Sequence, residues 1–150
     1  MTPTWHDRGF AELTAAELYA IVALREQVFV VEQACAYLDA DGIDPHCRHV
    51  WAQAGDDLHA YLRYVPAGAK YEEASLGRVV VAPAARGTGL GRALMRRALD
   101  GYGDRLLRIA AQAHLERFYA ELGFRTVSAP FLEDGIPHLY MLRDPTPRSW

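Results

Sequence analysis

VVVAPAARGTGLGRALMRRAL, residues 79–99, passes from a β-branched apolar run through a proline into three glycines spaced two apart, and then into an arginine-rich amphipathic segment. Val79, Val80 and Val81 have the continuous apolar character of a strand buried on both faces inside a sheet, spanning about residues 75–82, and Pro83 cannot extend its ladder. Arg86 to Gly91 form a turn, after which Leu90, Leu94, Met95, Ala98 and Leu99 recur on one wide arc of a helix running to about Gly101. The unit is strand, glycine turn, helix. Glycines let a ligand approach the backbone, and the first N–H groups of a helix are unpaired at the positive end of its dipole, so this helix mouth suits a phosphate. Arg86 and Arg92 add positive charge, although Arg92, Arg96 and Asp100 are also spaced as an i,i+4 ridge on a solvated face. The alternative is a glycine turn that serves packing alone.

Two familiar anion loops do not fit. A Walker loop needs a lysine followed by Ser or Thr, and the chain's single lysine is Lys70, before the turn. The dinucleotide fingerprint needs GxGxxG, whereas Gly87, Gly89 and Gly91 are spaced GxGxG.

The whole chain bounds the answer further. Its 150 residues suit one domain, 1–150, with one substantial core. With 51% hydrophobic residues and a formal net charge of -3 there is no basic excess for nucleic acid. No apolar run approaches the roughly 20 residues that span a bilayer, and MTPTWHDRGF lacks a signal-peptide core, which points to a cytoplasmic protein without a membrane partner. Cys35 and Cys47 are too few for a disulfide scaffold. Together with His46 and His49 they match no zinc spacing, so no metal is expected.

Thr14-Ala15-Ala16-Glu17 is a capping box that predicts a helix start, with Leu18, Ile21, Val22, Arg25, Val28 and Phe29 along one stripe. VFVVEQACAYLDADGIDPH then predicts a long loop, in which Asp39, Asp41 and Asp44 are turn formers or a field that attracts a cationic amine. HVWAQ and LHAYLRYV, joined by Ala54-Gly55-Asp56-Asp57, predict a hairpin. LLRIAA predicts a buried strand; Leu115, Phe118, Tyr119 and Leu122 predict a helix closed by Gly123; GFRTV and IPHLYML predict closing strands.

Arg86-Gly87-Thr88-Gly89-Leu90-Gly91 resembles the R/Q-x-x-G-x-G/A signature of the GNAT acyltransferase superfamily, in that family's position between a central strand and a helix. LRIAAQAHLERFYAELGF resembles its second element, with Tyr119, Gly123 and Phe124 in register. TWHDRGFAEL, LREQVFVVEQACAYLDADG, AQAHLERFYAELGF and EDGIPHLYM are similar to the ElaA-like branch, so the resemblance covers nearly the whole chain. It implies an α+β fold, a mixed sheet whose middle strands splay to admit coenzyme A. Val79, Val80 and Val81 would line the pantetheine through backbone groups, and Arg86, Gly87, Thr88, Gly89, Leu90, Gly91 and Arg92 would hold the diphosphate. Gln112 stands near the cofactor, where many relatives carry asparagine.

The implied reaction is acetyl transfer from acetyl-CoA to a primary amine, of a small molecule or a peptide, by direct attack in a ternary complex. Deprotonating a lysine-like amine at pH 7 costs about 4.6 kcal/mol, so a base or a desolvated pocket is expected. Tyr119 resembles the family's general acid; on spacing alone it is equally a core aromatic. Glu32, Glu133, Asp134 and His138 are candidate bases because they flank the expected acceptor cleft, and each is also an ordinary turn or surface residue; a water relay would replace them all. Cys35 is expected to be buried or cleft-lining rather than nucleophilic. Two alternatives remain: an acyl-CoA sensor without activity, and an acyl-homoserine-lactone-type synthase suggested by LREQVFVVEQ. A monomer or homodimer fits either way.

Overall fold

A computed structural model describes residues 2–147 of the chain. Its strands are β1 (Thr4–Gly9), β2 (Arg48–Ala54), β3 (Asp57–Val65), β4 (Ala74–Val81), β5 (Leu107–Gln112), β6 (Arg125–Thr126), β7 (Phe131–Glu133) and β8 (Ile136–Arg143), with helices α1 (Ala15–Arg25), α2 (Leu90–Tyr102) and α3 (Glu116–Ala120). They form one mixed sheet in the order β1-β2-β3-β4-β5-β8-β6, with β7 also paired to β8. Only the β4–β5 pairing is parallel.

Strict alternation along the hairpin explains the layers, because successive side chains of a strand point to opposite faces. Val50, Ala52, Ala60, Leu62 and Tyr64 face α2 and join Leu94, Met95, Ala98 and Tyr102 in the larger core. Trp51 and Tyr61 face the other way and pack with Ile21, Leu24 and Val28 beneath α1. The expected cap begins α1: Thr14 Oγ1 accepts from Glu17 N at 3.1 Å, and Glu17 Oε1 accepts from Thr14 N at 2.9 Å.

Two local expectations are revised, and the structure adds one strand that the sequence pattern does not announce. The chain does not enter a loop at Val28; the helix widens into π-helical turns over Glu26–Glu32, closed by Gln33 N–H to Val28 O and Cys35 N–H to Val30 O, both at 3.0 Å. Thr4–Gly9, which carries no apolar alternation, is an edge strand held by its pairing to β2 and by His6 stacked on Trp51 at 4.8 Å. The helix after β5 is short, a 3₁₀ turn at Ala113–Leu115 followed by α3.

The largest revision concerns the aspartates of the long loop. Asp39, Asp41 and Asp44 are neither free turn formers nor an open acidic field. They fold back onto the α1 face of the sheet, where Arg63 occurs in alternation with Tyr61. Arg25 donates to Asp39 at 2.8 Å and to Asp44 at 2.7 Å, while Arg63 reaches Asp44 at 2.8 Å and Asp41 at 2.6 Å. Arg78 adds ion pairs to Asp39 at 2.9 Å and Asp41 at 3.3 Å, and Tyr37 donates its hydroxyl to Asp39 at 2.7 Å. Arg25 and Arg63 are each 1% exposed, so every charge here depends on its partner.

Removing one member of such a buried set costs about 3–5 kcal/mol, because the remaining charge stays buried and unpaired. Asp44→Asn is therefore expected to lower the unfolding free energy by about 3 kcal/mol in urea denaturation at neutral pH. Desolvation pushes the Asp44 and Asp41 carboxyls upward, but hydrogen bonds and charge from Arg25 and Arg63 at Asp44, and from Arg63 with the Ile43 N–H and Arg78 at Asp41, hold both below the usual carboxylate range. Their contribution is then complete above the ordinary aspartate value of about 4 and declines as pH falls further, so wild type and variant converge in acid.

Candidate active site

The cofactor-sized opening in this fold arises from a pairing that stops. β4 and β5 share only two register pairs, Ala74 with Leu107 and Ser75 with Arg108, and beyond them the strands diverge. Two steps along β3, from Tyr61 to Arg63, face three along β4, from Gly77 to Val80, so β4 carries a bulge. Arg78 in that bulge has φ 52°, a left-handed conformation costing about 1–2 kcal/mol for a residue with a Cβ. Its guanidinium is held by Asp39 and Asp41 and lies over the Tyr37 ring at 5.6 Å, so the buried charge cluster pins the strained residue.

Between the diverging strands lies a cavity of about 760 Å³. Val79, Val80 and Val81 line it on one side and Ala110, Ala111 and Gln112 on the other. Val80 packs into the α1-side core, whereas Val79 and Val81 stay partly exposed, because no neighbouring strand covers that edge. Gln112 Nε2 donates to Gln33 Oε1 at 3.4 Å, across the cavity from the π-helical turns.

At one end sits the glycine turn. Gly87 and Gly89 have φ 76° and 80°, and Gly89 caps α2 with no side-chain bond. A Cβ on either would meet nothing within 4 Å, so the glycines are required by backbone conformation and leave open space above the loop. Thr88 Oγ1 donates to Ala85 O at 2.6 Å and turns its side chain inward. Ala93 N–H bonds Gly89 O at 3.1 Å, while among the described residues no acceptor is found for the N–H groups of Leu90, Gly91 and Arg92. Those unpaired amides at the start of a 13-residue helix are an anion site by geometry and dipole together. Gly91 is tight for another reason: its Cβ would lie 3.4 Å from Val81 Cγ2.

The two arginines of the turn differ. Arg86 lines the cavity and pairs with Glu32 through Nη1 at 2.7 Å and Nη2 at 3.1 Å. Arg92 points away to α3, pairing with Glu121 at 2.6 Å over the Phe118 ring. The expected ridge with Arg96 and Asp100 gives way to this contact between helices.

Tyr119 lies on α3, 7% exposed, wedged edge-on against Phe118 at 5.1 Å and Phe124 at 5.9 Å. It is a core aromatic and also lines the cavity. Desolvation alone pushes its phenol up to about 12. Among the described residues its hydroxyl has no hydrogen-bond partner, so a proton-accepting atom in the cavity would be its first.

At the opposite end the last hairpin closes over the long loop. Cys35 Sγ donates to Asp134 O at 3.1 Å, tying the loop to the β7–β8 turn. His138 Nδ1 is 2.7 Å from Ile136 O. A carbonyl only accepts, so Nδ1 carries a proton and Nε2, 3.6 Å from Glu133 Oε2, is the nitrogen free to take one. Glu32, Glu133, Asp134 and His138 all line the same cavity as Tyr119 and Cys35. Sequence reasoning missed Lys70, Tyr71 and Arg78, which line it too. Arg78 follows a glycine within an expected strand, a bulge signal; Lys70 and Tyr71 lie just after the breakers Pro66 and Gly68, in a stretch with no periodicity to single them out.

Residues 27–144 match the family model described as the acetyltransferase (GNAT) domain. Protein ElaA of Escherichia coli is 40% identical over 146 residues, 93% of this chain and 95% of that protein. A UPF0039 protein of Synechocystis is 41% identical over 147 residues, 95% of this chain and 96% of its own. Among solved structures, an acyl-CoA N-acyltransferase from Pseudomonas aeruginosa superposes with a TM-score of 0.90 at 42% identity, covering 95% of this chain and 99% of that one.

The buried phenol supplies a direct check. With Tyr119 selectively ring-labelled, its NMR shift is expected to remain that of the neutral phenol through pH 10 and to move only near pH 12, above the usual tyrosine range, because burial disfavours the phenolate.

Proposed function

This chain belongs to the GNAT acetyltransferase family, whose chemistry is acyl transfer, and on that basis we propose that it moves an acetyl group from acetyl-CoA to a primary amine, as one domain spanning residues 1–150. The observation that carries this reading is a shared cavity: Arg86 and Gly91 of the anion turn, the unpaired edge of β4 and the Tyr119 side chain all line one space. In the proposed assignment Gly87, Thr88, Gly89, Leu90, Gly91 and Arg92 hold the diphosphate mainly through backbone, and Val79 to Val81 hold the pantetheine arm through edge groups. Arg86 exchanges its Glu32 partner for phosphate.

The amine nitrogen attacks the thioester carbonyl carbon; the C–N bond forms as the C–S bond breaks. The departing thiolate takes the Tyr119 phenol proton, which burial keeps in place at neutral pH. The proton lost by the nitrogen passes to His138 Nε2 or Glu133, or to water, and returns through solvent to the phenolate, so the protein ends as it began. Glu32, held by Arg86, becomes a base only when that pair opens. Cys35 donates its thiol proton to Asp134 O, and no acyl-enzyme is required. Among the described residues no helix is long and apolar enough to cross a membrane.

Purified protein is expected to bind acetyl-CoA in calorimetric titration and to release free thiol with amine acceptors. Tyr119→Phe is expected to lower kcat about a hundredfold or more while changing acetyl-CoA affinity little. Binding without thiol release across a broad amine panel would overturn the transfer reading, and no binding would overturn the cofactor assignment. Gly89→Ala is expected to weaken acetyl-CoA binding, since a Cβ there is strained at φ 80° and protrudes into the open space above the loop.

A further inference from the structure

Four of the seven acidic and basic side chains lining the cavity among the described residues, Glu32, Asp41, Arg78 and Arg86, are held in ion pairs, whereas Glu133, Asp134 and Lys70 have no Arg or Lys–carboxylate pair. Asp41 is held by Arg63 and Arg78, and Glu32 by Arg86. Lys70 differs. It is the chain's single lysine, it lines the cavity, and among the described residues no carboxylate lies within ion-pair distance of it. Its ammonium is placed over the Tyr71 ring at 5.5 Å. The residue as a whole is exposed, yet desolvation of the amine and the Arg78 and Arg63 charges lower its pKa, while the Glu133 charge acts in the other direction. Among the described residues the ion-pair partner of Glu133 is His138, at 3.6 Å, a pairing that is ionic only when the imidazole is protonated.

Two opposite charges thus line one cavity without neutralising each other, and the wall they share includes Tyr37, Leu38 and Tyr71. A simple cationic amine would meet the Glu133 side but be repelled by Lys70. An amine that carries its own anion satisfies both, because that anion gives Lys70 the partner it lacks while Arg78 stays paired with Asp39 and Asp41. We propose that the acceptor is a zwitterion, an amino acid or short peptide with a free carboxylate, whose carboxylate pairs with Lys70 while its amine nitrogen lies towards Glu133 and His138. This rests on the acetyl-transfer reading above. Lys70 then determines specificity without touching the reacting atoms, and the apolar wall favours a hydrophobic side chain.

The test uses matched acceptors: L-phenylalanine, L-leucine and phenylalanyl-leucine, each beside its C-terminal amide, with phenethylamine as the amine lacking any anion. Thiol release and product mass are followed with the full chain and acetyl-CoA. The free carboxylates are expected to exceed their amides by about tenfold in kcat/KM, the discrimination of one charge-assisted bond. Lys70→Met is expected to bring that ratio close to one by raising KM for the carboxylates, and Lys70→Arg to keep most of it; acetyl-CoA titration verifies that each variant is folded. Amides or phenethylamine used as well as the carboxylates, or a ratio unchanged in Lys70→Met, would overturn the proposal. If thiol is released with none of them, calorimetry of the three carboxylates on the coenzyme A-loaded protein decides the site independently of the transfer reading, whose own test is the broad amine panel. Binding that Lys70→Met abolishes supports it, and no binding overturns it.

Discussion

Two residue pairs, Ala74 with Leu107 and Ser75 with Arg108, are all that join β4 to β5, and the molecule is organised around the point where they part. A sheet interior with unpaired N–H and C=O groups is costly unless something takes their place. Here the extra residue in β4 turns the strand away, Arg78 accepts a left-handed conformation to do so, and Asp39 and Asp41 hold Arg78 there. The opening is therefore enforced from the α1 side of the sheet. The groups it leaves unpaired suit an extended ligand with amide groups of its own.

That arrangement gives the buried charge cluster a mechanical meaning. Asp39, Asp41 and Asp44 come from a loop without apolar periodicity, yet through Arg25, Arg63 and Arg78 they bind that loop to a helix and two strands. The loop, the π-helical turns and the β7–β8 turn then close one end of the cavity, with Cys35 Sγ bonded to Asp134 O as the stitch between them. The other end is built from helix α2 and its unpaired amides. One end is thus shaped by side-chain electrostatics and the other by backbone, which suits a variable acceptor facing a constant carrier.

Much of the fold was legible because it depends on short-range patterns. The Thr14–Glu17 box, the alternation through Trp51 and Tyr61, and the glycines at 87, 89 and 91 each declare a local conformation whose physics needs only neighbours in sequence. The edge strand Thr4–Gly9 was not legible, since a polar edge strand derives its structure from pairing with β2 more than forty residues away. The continuation of α1 was legible only as far as Val28 and Phe29, the last residues on its stripe; the wider π-helical turns that carry it to Glu32 follow no 3.6-residue period. In the site, Arg86, Gly91 and Tyr119 could be named in advance because motif spacing carries them, whereas Lys70 sits in a segment whose composition says only loop.

By itself the sequence determined the strand–turn–helix unit, the conformations its glycines need, the two faces of the hairpin and the family to which those motifs point. Only the tertiary structure decided that three aspartates pair with three arginines, that Arg86 is already paired with Glu32 while Arg92 is turned away, and that Lys70 shares a cavity with Glu133. The division has a physical cause. Backbone preference and amphipathic period act over a few residues, but a charge chooses its partner by distance in space, and that distance is set only once the sheet has brought remote segments together.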